Sequence, residues 1–82
     1  MAIELNQIQP NDRAALVGAA LSLTRLRMPM RHACALVLIS GYRNTDAARA
    51  AGVERRNLAS ALCRLRWHLS LVLEEYRHAM DT

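Results

Sequence analysis

The sequence predicts an all-α protein: a helix-turn-helix bundle of about four helices, the last of them long. Three observations lead there. The chain has 82 residues, about half of them apolar, with only three glycines, two prolines and no phenylalanine. That composition favours helix over sheet. Residues 44–61 carry helix-turn-helix spacing: Ala48 lies four before Gly52, Val53 follows at once, then Leu58, then Ala61. A small residue lets two helices cross closely, a glycine takes the left-handed turn, and apolar residues pin the second helix to the first. Beyond that unit, Leu58, Leu62, Leu65, Leu69, Val72 and Tyr76 recur at alternating intervals of four and three. That is a heptad seam.

In chain order, residues 1–10 read as an arm. Ile3, Leu5 and Ile8 are suited to a short strand or to packing on the body, and Pro10 ends the segment. The first helix is expected over 11–28, with Asn11 as N-cap and Asp12 facing the positive end of the helix dipole. Its Leu16, Val17, Ala20, Leu21 and Thr24 share one face. Pro29 closes it or opens the next helix. The second helix covers 30–40, buries Ala33, Leu36, Val37 and Ile39–Ser40, and ends at Gly41 as a C-cap glycine. A short third helix spans 45–51, capped by Asn44 or Thr45 and broken by Gly52. The fourth covers 55–79, starting after Val53 or Glu54. The first part of its seam must face the helix-turn-helix core. Two outcomes stay open for the rest: folding back on the first helix, or pairing with a second copy through Leu65, Trp67, Leu69, Val72, Leu73 and Tyr76. Trp67 is expected to anchor a core or an interface.

Eighty-two residues make one domain, marginal in stability, for which oligomerisation is a natural remedy. The net charge of +4 is unevenly spread. Residues 1–12 carry −2 (Glu4, Asp12), residues 13–66 carry +8 (ten arginines against Asp46 and Glu54), and residues 67–82 carry −2 (Arg77 against Glu74, Glu75, Asp81). All eleven basic residues are arginine. Positive charge thus gathers around the helix-turn-helix, where a phosphate-binding surface requires it. Cys34 and Cys63 lie far apart in apolar helical patterns and read as two buried free thiols. With His32, His68 and His78 they give no metal-ligand spacing. No cofactor motif, phosphate loop or catalytic constellation is present, which argues against an enzyme. No signal-peptide shape and no membrane-length apolar run occur, so the cytoplasm is the default compartment.

A helix-turn-helix usually lays its second helix in the DNA major groove, with its first turns on base edges. Those positions are Glu54, Arg55, Arg56, Asn57, Ala59 and Ser60; Leu58 and Ala61 should point inward. Arginine pairs bidentately with guanine, asparagine with adenine, alanine touches a thymine methyl, and serine bonds a base or a phosphate. Arg55, Arg56, Asn57, Ala59 and Ser60 are therefore the base-edge candidates, while Glu54 repels phosphate. Cations at a helix N-terminus oppose its dipole, and a facing phosphodiester would compensate. Arg31, Arg43, Thr45, Arg49 and Arg64 are the phosphate candidates, with Arg66 a more distant one.

The stretch from Leu36 through Gly41 to Trp67 resembles plasmid transcriptional repressors of the TrfB/KorA type. There an apolar helix ends in a glycine, a helix-turn-helix follows, and the recognition helix runs into an Arg, a hydrophobe and a Trp. Gly41 and Gly52 keep the family's interval of eleven. Arg64-Leu65-Arg66-Trp67 resembles the tail, with one residue inserted before Trp. Fimbrial-operon regulators of the PapB type are similar but fit less closely. The resemblance implies a homodimeric repressor on palindromic operators. It places the family's base-reading arginine on Arg55, and puts Ser60 where the family uses a glutamine. The resemblance stops short of the family's separate C-terminal dimerisation region, so a different dimer mode is expected. The expected partners are double-stranded DNA and a second copy, with no membrane and no small-molecule effector evident. The rival readings are a helical protein-interaction module or antitoxin, and a transcriptional activator or recombination accessory factor.

Overall fold

A computed structural model describes residues 8–81. They form four helices and no strand: α1 (Pro10–Ser22), α2 (Met30–Leu38), α3 (Asn44–Ala51) and α4 (Arg55–Asp81). At about 1.5 Å per residue a helix of α4's length spans about 40 Å. It sets the long axis of a body measuring 42 × 21 × 19 Å. The expectations for Ile3 and Leu5 lie outside the described residues, whereas Ile8 is buried.

The N-terminus of α1 differs from the sequence reading. Gln9, not Asn11, is the N-cap, in extended backbone (φ −54°, ψ 142°), and Pro10 opens the helix. Proline tolerates the first helical position because its missing N–H would be unpaired there anyway. The Arg13 amide closes the first turn on the Gln9 carbonyl at 2.8 Å. Arg13 also donates from a guanidinium nitrogen to the Ile8 carbonyl at 3.3 Å, tying the segment before α1 to the helix.

The far end of α1 also differs, since the helix stops at Ser22 rather than near Met28. The Ser22 hydroxyl donates to the Ala19 carbonyl at 2.6 Å, and Thr24 Oγ1 to the Leu21 carbonyl at 2.8 Å. The amides of Leu23 and Thr24 also fall back on the Ala20 and Leu21 carbonyls. Short hydroxylated side chains compete for the carbonyls a continuing helix would use. Thr24 therefore sits in the loop that leads to α2, with Met28–Pro29 in the cis form.

α2 ends at Leu38, two residues before the expected boundary. Gly41 takes the left-handed conformation (φ 78°) that ends helices, and the Tyr42 amide reaches back to the Leu36 carbonyl at 3.0 Å. Its most buried residues are Ala33, Cys34 and Leu38; Leu36, Val37 and Ile39 are partly buried against the core, and Ser40 is exposed. α3 begins one residue early, at Asn44. Arg43 is its N-cap, and neither Asn44 nor Thr45 makes a side-chain cap bond.

One hydrophobic core joins all four helices. Val17, Ala20 and Leu21 come from α1; Ala33, Cys34 and Leu38 from α2; Ala47 and Ala48 from α3; Leu58, Ala61, Leu62, Leu65 and Leu69 from α4. Leu58, Leu62 and Leu65 are the largest of its fully buried side chains. The heptad seam is thus answered within the chain: α4 folds against α1. Leu65 and Leu69, read as candidates for pairing with a second copy, are occupied in this core. Val72 and Leu73 pack partly buried against it. Tyr76 donates its hydroxyl to Asp12 Oδ2 of α1 at 3.3 Å. Trp67 is the reverse case, since it is 64% exposed and anchors no core. Cys63 is likewise exposed, not buried, while Cys34 is buried with its thiol pKa raised by desolvation. Both cysteines are free. No helix of the described residues is long and apolar enough to cross a membrane.

Two outcomes follow from this packing. Leu65→Ala should cost about 2–5 kcal/mol of unfolding free energy, as a buried leucine truncation does, whereas in protein dilute enough to be monomeric Trp67→Ala should stay within about 0.5 kcal/mol. Urea titration of both variants checks the contrast, and equal losses would contradict the burial pattern. In dilute, monomeric native protein a maleimide should modify Cys63 rapidly and Cys34 only on unfolding, as read by mass spectrometry after timed quenching.

Candidate nucleic-acid interface

The turn between α3 and α4 is built by one glycine. Gly52 adopts φ 73° and ψ 34°, a left-handed conformation that costs residues with a Cβ about 1–2 kcal/mol. A Cβ there would meet no atom within 4 Å, so the constraint is conformational rather than one of space. The Val53 amide bonds the Ala48 carbonyl at 2.9 Å and the Gly52 amide the Arg49 carbonyl at 3.4 Å. This pair of bonds is the Schellman arrangement, which satisfies α3's last carbonyls while reversing the chain. The half-buried Val53 packs on the core beside the junction. On the other side the Leu58 amide closes on the Glu54 carbonyl at 3.0 Å, making Glu54 the residue from which α4 springs.

Ala47 and Ala48, both buried, give α3 a small-residue face against the core. Leu58, Ala61 and Leu62 bring α4's inner row down onto that core. Helical geometry then fixes what faces out. Arg55, Arg56, Asn57, Ala59 and Ser60 are all exposed, as is Glu54. Each base-edge candidate therefore lies on the outer surface of α4's first turns. No acidic residue occupies that first turn, so Arg55 and Arg56 stand against the positive end of the helix with no counter-charge from their own helix.

The phosphate candidates divide. Arg43, Thr45 and Arg49 are exposed on α3 or at its cap, and Arg64 is exposed on α4. Arg31 differs, being half-buried in the first turn of α2. From Arg43 to Arg66 the chain exposes six arginines against Asp46 and Glu54. The ion pairs among the described residues join Glu74 to Arg77 and to His78, at the far end of α4. No arginine from Arg25 to Arg66 is in an ion pair with a described residue, so their charge is available to a ligand.

The tertiary structure adds Arg25 and His68, which the sequence reading did not select, to Arg64, which it did. Asn57, Ala61, Arg64 and His68 fall on one line along α4, at intervals of four, three and four. The loop after α1 lies beside that line. Leu23, Thr24, Arg25 and Leu26 from the loop, with Ala61, Arg64 and His68 from α4, enclose a cleft of about 320 Å³. Arg25 and Arg64 are both on its lining and no carboxylate is, so the cleft extends the cationic surface away from Gly52. Arg25 belonged to a stretch expected to be helical. Only the early end of α1 reveals that it turns toward α4. Among the described residues no group of histidine, cysteine and carboxylate side chains is placed to hold a metal ion.

No family model, curated protein or solved structure matches this chain.

Proposed function

We propose that the chain is a sequence-specific double-stranded DNA-binding transcriptional regulator, a homodimeric repressor that acts in the cytoplasm by occluding a promoter. The carrying observation is the outer face of α4's first turns. The Gly52 turn leaves Arg55, Arg56, Asn57, Ala59 and Ser60 exposed with no acid in the first helical turn. Such a face suits base edges in a major groove. Arg43, Thr45 and Arg49 on the preceding helix, with Arg64 and Arg25 beside it, are the groups for flanking phosphates. The resemblance to TrfB/KorA-type plasmid repressors supports the same reading, as does the concentration of positive charge between residues 13 and 66. The rival reading, a module whose heptad seam receives another protein's helix, loses its seam to the protein's own core.

Selection of bound sequences from random duplexes should return a palindrome. Affinity for it should fall steeply with salt, because each phosphate neutralised by an arginine releases counterions. Arg55→Ala should cost about 1–3 kcal/mol on the selected site and little on random DNA. Arg43→Ala should weaken both alike and reduce the salt slope by about one. Filter binding or fluorescence anisotropy across a salt series separates the two roles. No enrichment of any sequence, or salt-independent binding, would overturn the proposal.

A further inference from the structure

The seam that the sequence offered for pairing is buried, yet α4 presents a second apolar row on its opposite side. Cys63, Trp67 and Leu71 stand at successive intervals of four, and all three are exposed, Trp67 at 64% and Leu71 at 50%. With about 100° between successive residues, Trp67 points almost directly away from the line of buried Leu58 and Leu65 and half-buried Tyr76. Water-facing tryptophan beside leucine on a rigid helix is an anchor of the kind that dominates interfaces. Nothing within the described residues covers it. Trp67 makes an edge-on ring contact with His68, with ring centroids 5.1 Å apart and planes at 81°.

The charges flanking this row select its occupant. Arg64 flanks it toward the N-terminus, on the same side of the helix as Glu75 toward the C-terminus. Neither is in an ion pair with a described residue. Glu74, in contrast, is already engaged by Arg77 and His78, which hold its carboxyl below the usual range, Arg77 foremost. A face with a cation at one end and an anion at the other is complementary to its own copy when the two helices run antiparallel. That is what an isologous two-fold contact demands.

We propose that a second copy of this chain docks on the Cys63–Trp67–Leu71 row, with the two α4 helices antiparallel around a two-fold axis level with Leu69. In this register Trp67 is level with Leu71 of the partner subunit, and Arg64 is one residue's rise, about 1.5 Å, from the level of Glu75 of the partner subunit on the same side of the contact. Both contacts recur by symmetry. A parallel pairing would instead bring Arg64 against Arg64 and Glu75 against Glu75. The inference does not rest on the DNA-binding reading. In this register the partner subunit's α4 reaches the level of Asn57, so Ser60 lies against the partner and base contacts by the dimer fall to Arg55, Asn57 and Ala59, which point off the docking face. The core seam remains intact, so association needs no unfolding.

The experiments are done without DNA, so that failure here is distinguishable from failure of the DNA reading. Sedimentation of the full chain should show a concentration-dependent doubling of mass. Trp67→Ala should raise the dimer dissociation constant at least tenfold with an unchanged circular dichroism spectrum. Arg64→Glu should weaken association several-fold, and the double variant Arg64→Glu/Glu75→Arg should recover most of the loss. The register is read by thiol cross-linking with a short bismaleimide. Cys63 lies within one residue's rise, about 1.5 Å, of the level of Glu74 of the partner subunit and on the same side of the contact, so Glu74→Cys should give a covalent dimer linked between positions 63 and 74. The wild-type protein should give none, since its two Cys63 residues would lie about 18 Å apart along the helices. A monomeric mass at all concentrations, a dimer insensitive to Trp67→Ala, or efficient cross-linking of wild-type Cys63 to itself would each overturn the proposal. Intact self-association with no DNA affinity would overturn the DNA reading alone and leave the docking surface standing.

Discussion

The structure depends on the inner row of α4. Leu58, Leu62, Leu65 and Leu69 project from a single 27-residue helix, and all four are buried. They are the common floor against which the three shorter helices lie. α1 contributes Val17, Ala20 and Leu21 to that floor; α2 contributes Ala33, Cys34 and Leu38; α3 contributes Ala47 and Ala48. None of these three helices is longer than 13 residues, close to the length below which an isolated helix is marginal in water. Their stability comes from packing on α4, and so does the direction in which each presents its polar side.

That same row couples fold to site. A helix has a fixed angular relation between its faces, so burying Leu58, Ala61 and Leu62 leaves Arg55, Arg56, Asn57, Ala59 and Ser60 no direction but outward. The Gly52 turn sets where α4 begins, and the leucine row sets its rotation. Farther along, the relation that buries Leu65 and Leu69 displays Trp67 and Leu71. One rigid element therefore carries both the cationic surface and the apolar row, at a separation fixed by helical rise rather than by a flexible linker.

The electrostatics follow a similar division along α4. Its N-terminal half exposes Arg55, Arg56, Arg64 and Arg66, with no carboxylate after Glu54 until Glu74. Its C-terminal part holds Glu74, paired with Arg77 and His78, and Glu75, which is in no ion pair with a described residue. Unpaired cations near α3 and the start of α4 repel one another and gain nothing for folding. They serve no packing role, and the Arg25–Arg64 cleft carries that cationic surface onto the loop after α1.

The sequence by itself determined the helix count, the turn at Gly52 and the inward or outward sense of every residue from Arg55 to Ala61. These are local matters: composition, a glycine at a left-handed position and a period near 3.6. It also marked the cap glycine Gly41, although not the early ends of α1 and α2. Those depend on Ser22 and Thr24 hydroxyls turning back on carbonyls and on a backbone reversal at Gly41. Only the tertiary structure decided what met the heptad seam. Periodicity reveals that a helix has an apolar face, but an intramolecular and an intermolecular partner satisfy that face equally well. The choice fell to α1, whose own apolar face lies across from Leu65 and Leu69. With that choice made, Trp67 and Cys63, read from their neighbours as interior, were left on the opposite side of α4. The placement of Arg25 beside Arg64 was likewise beyond the sequence, because it arises from two segments brought together by packing alone.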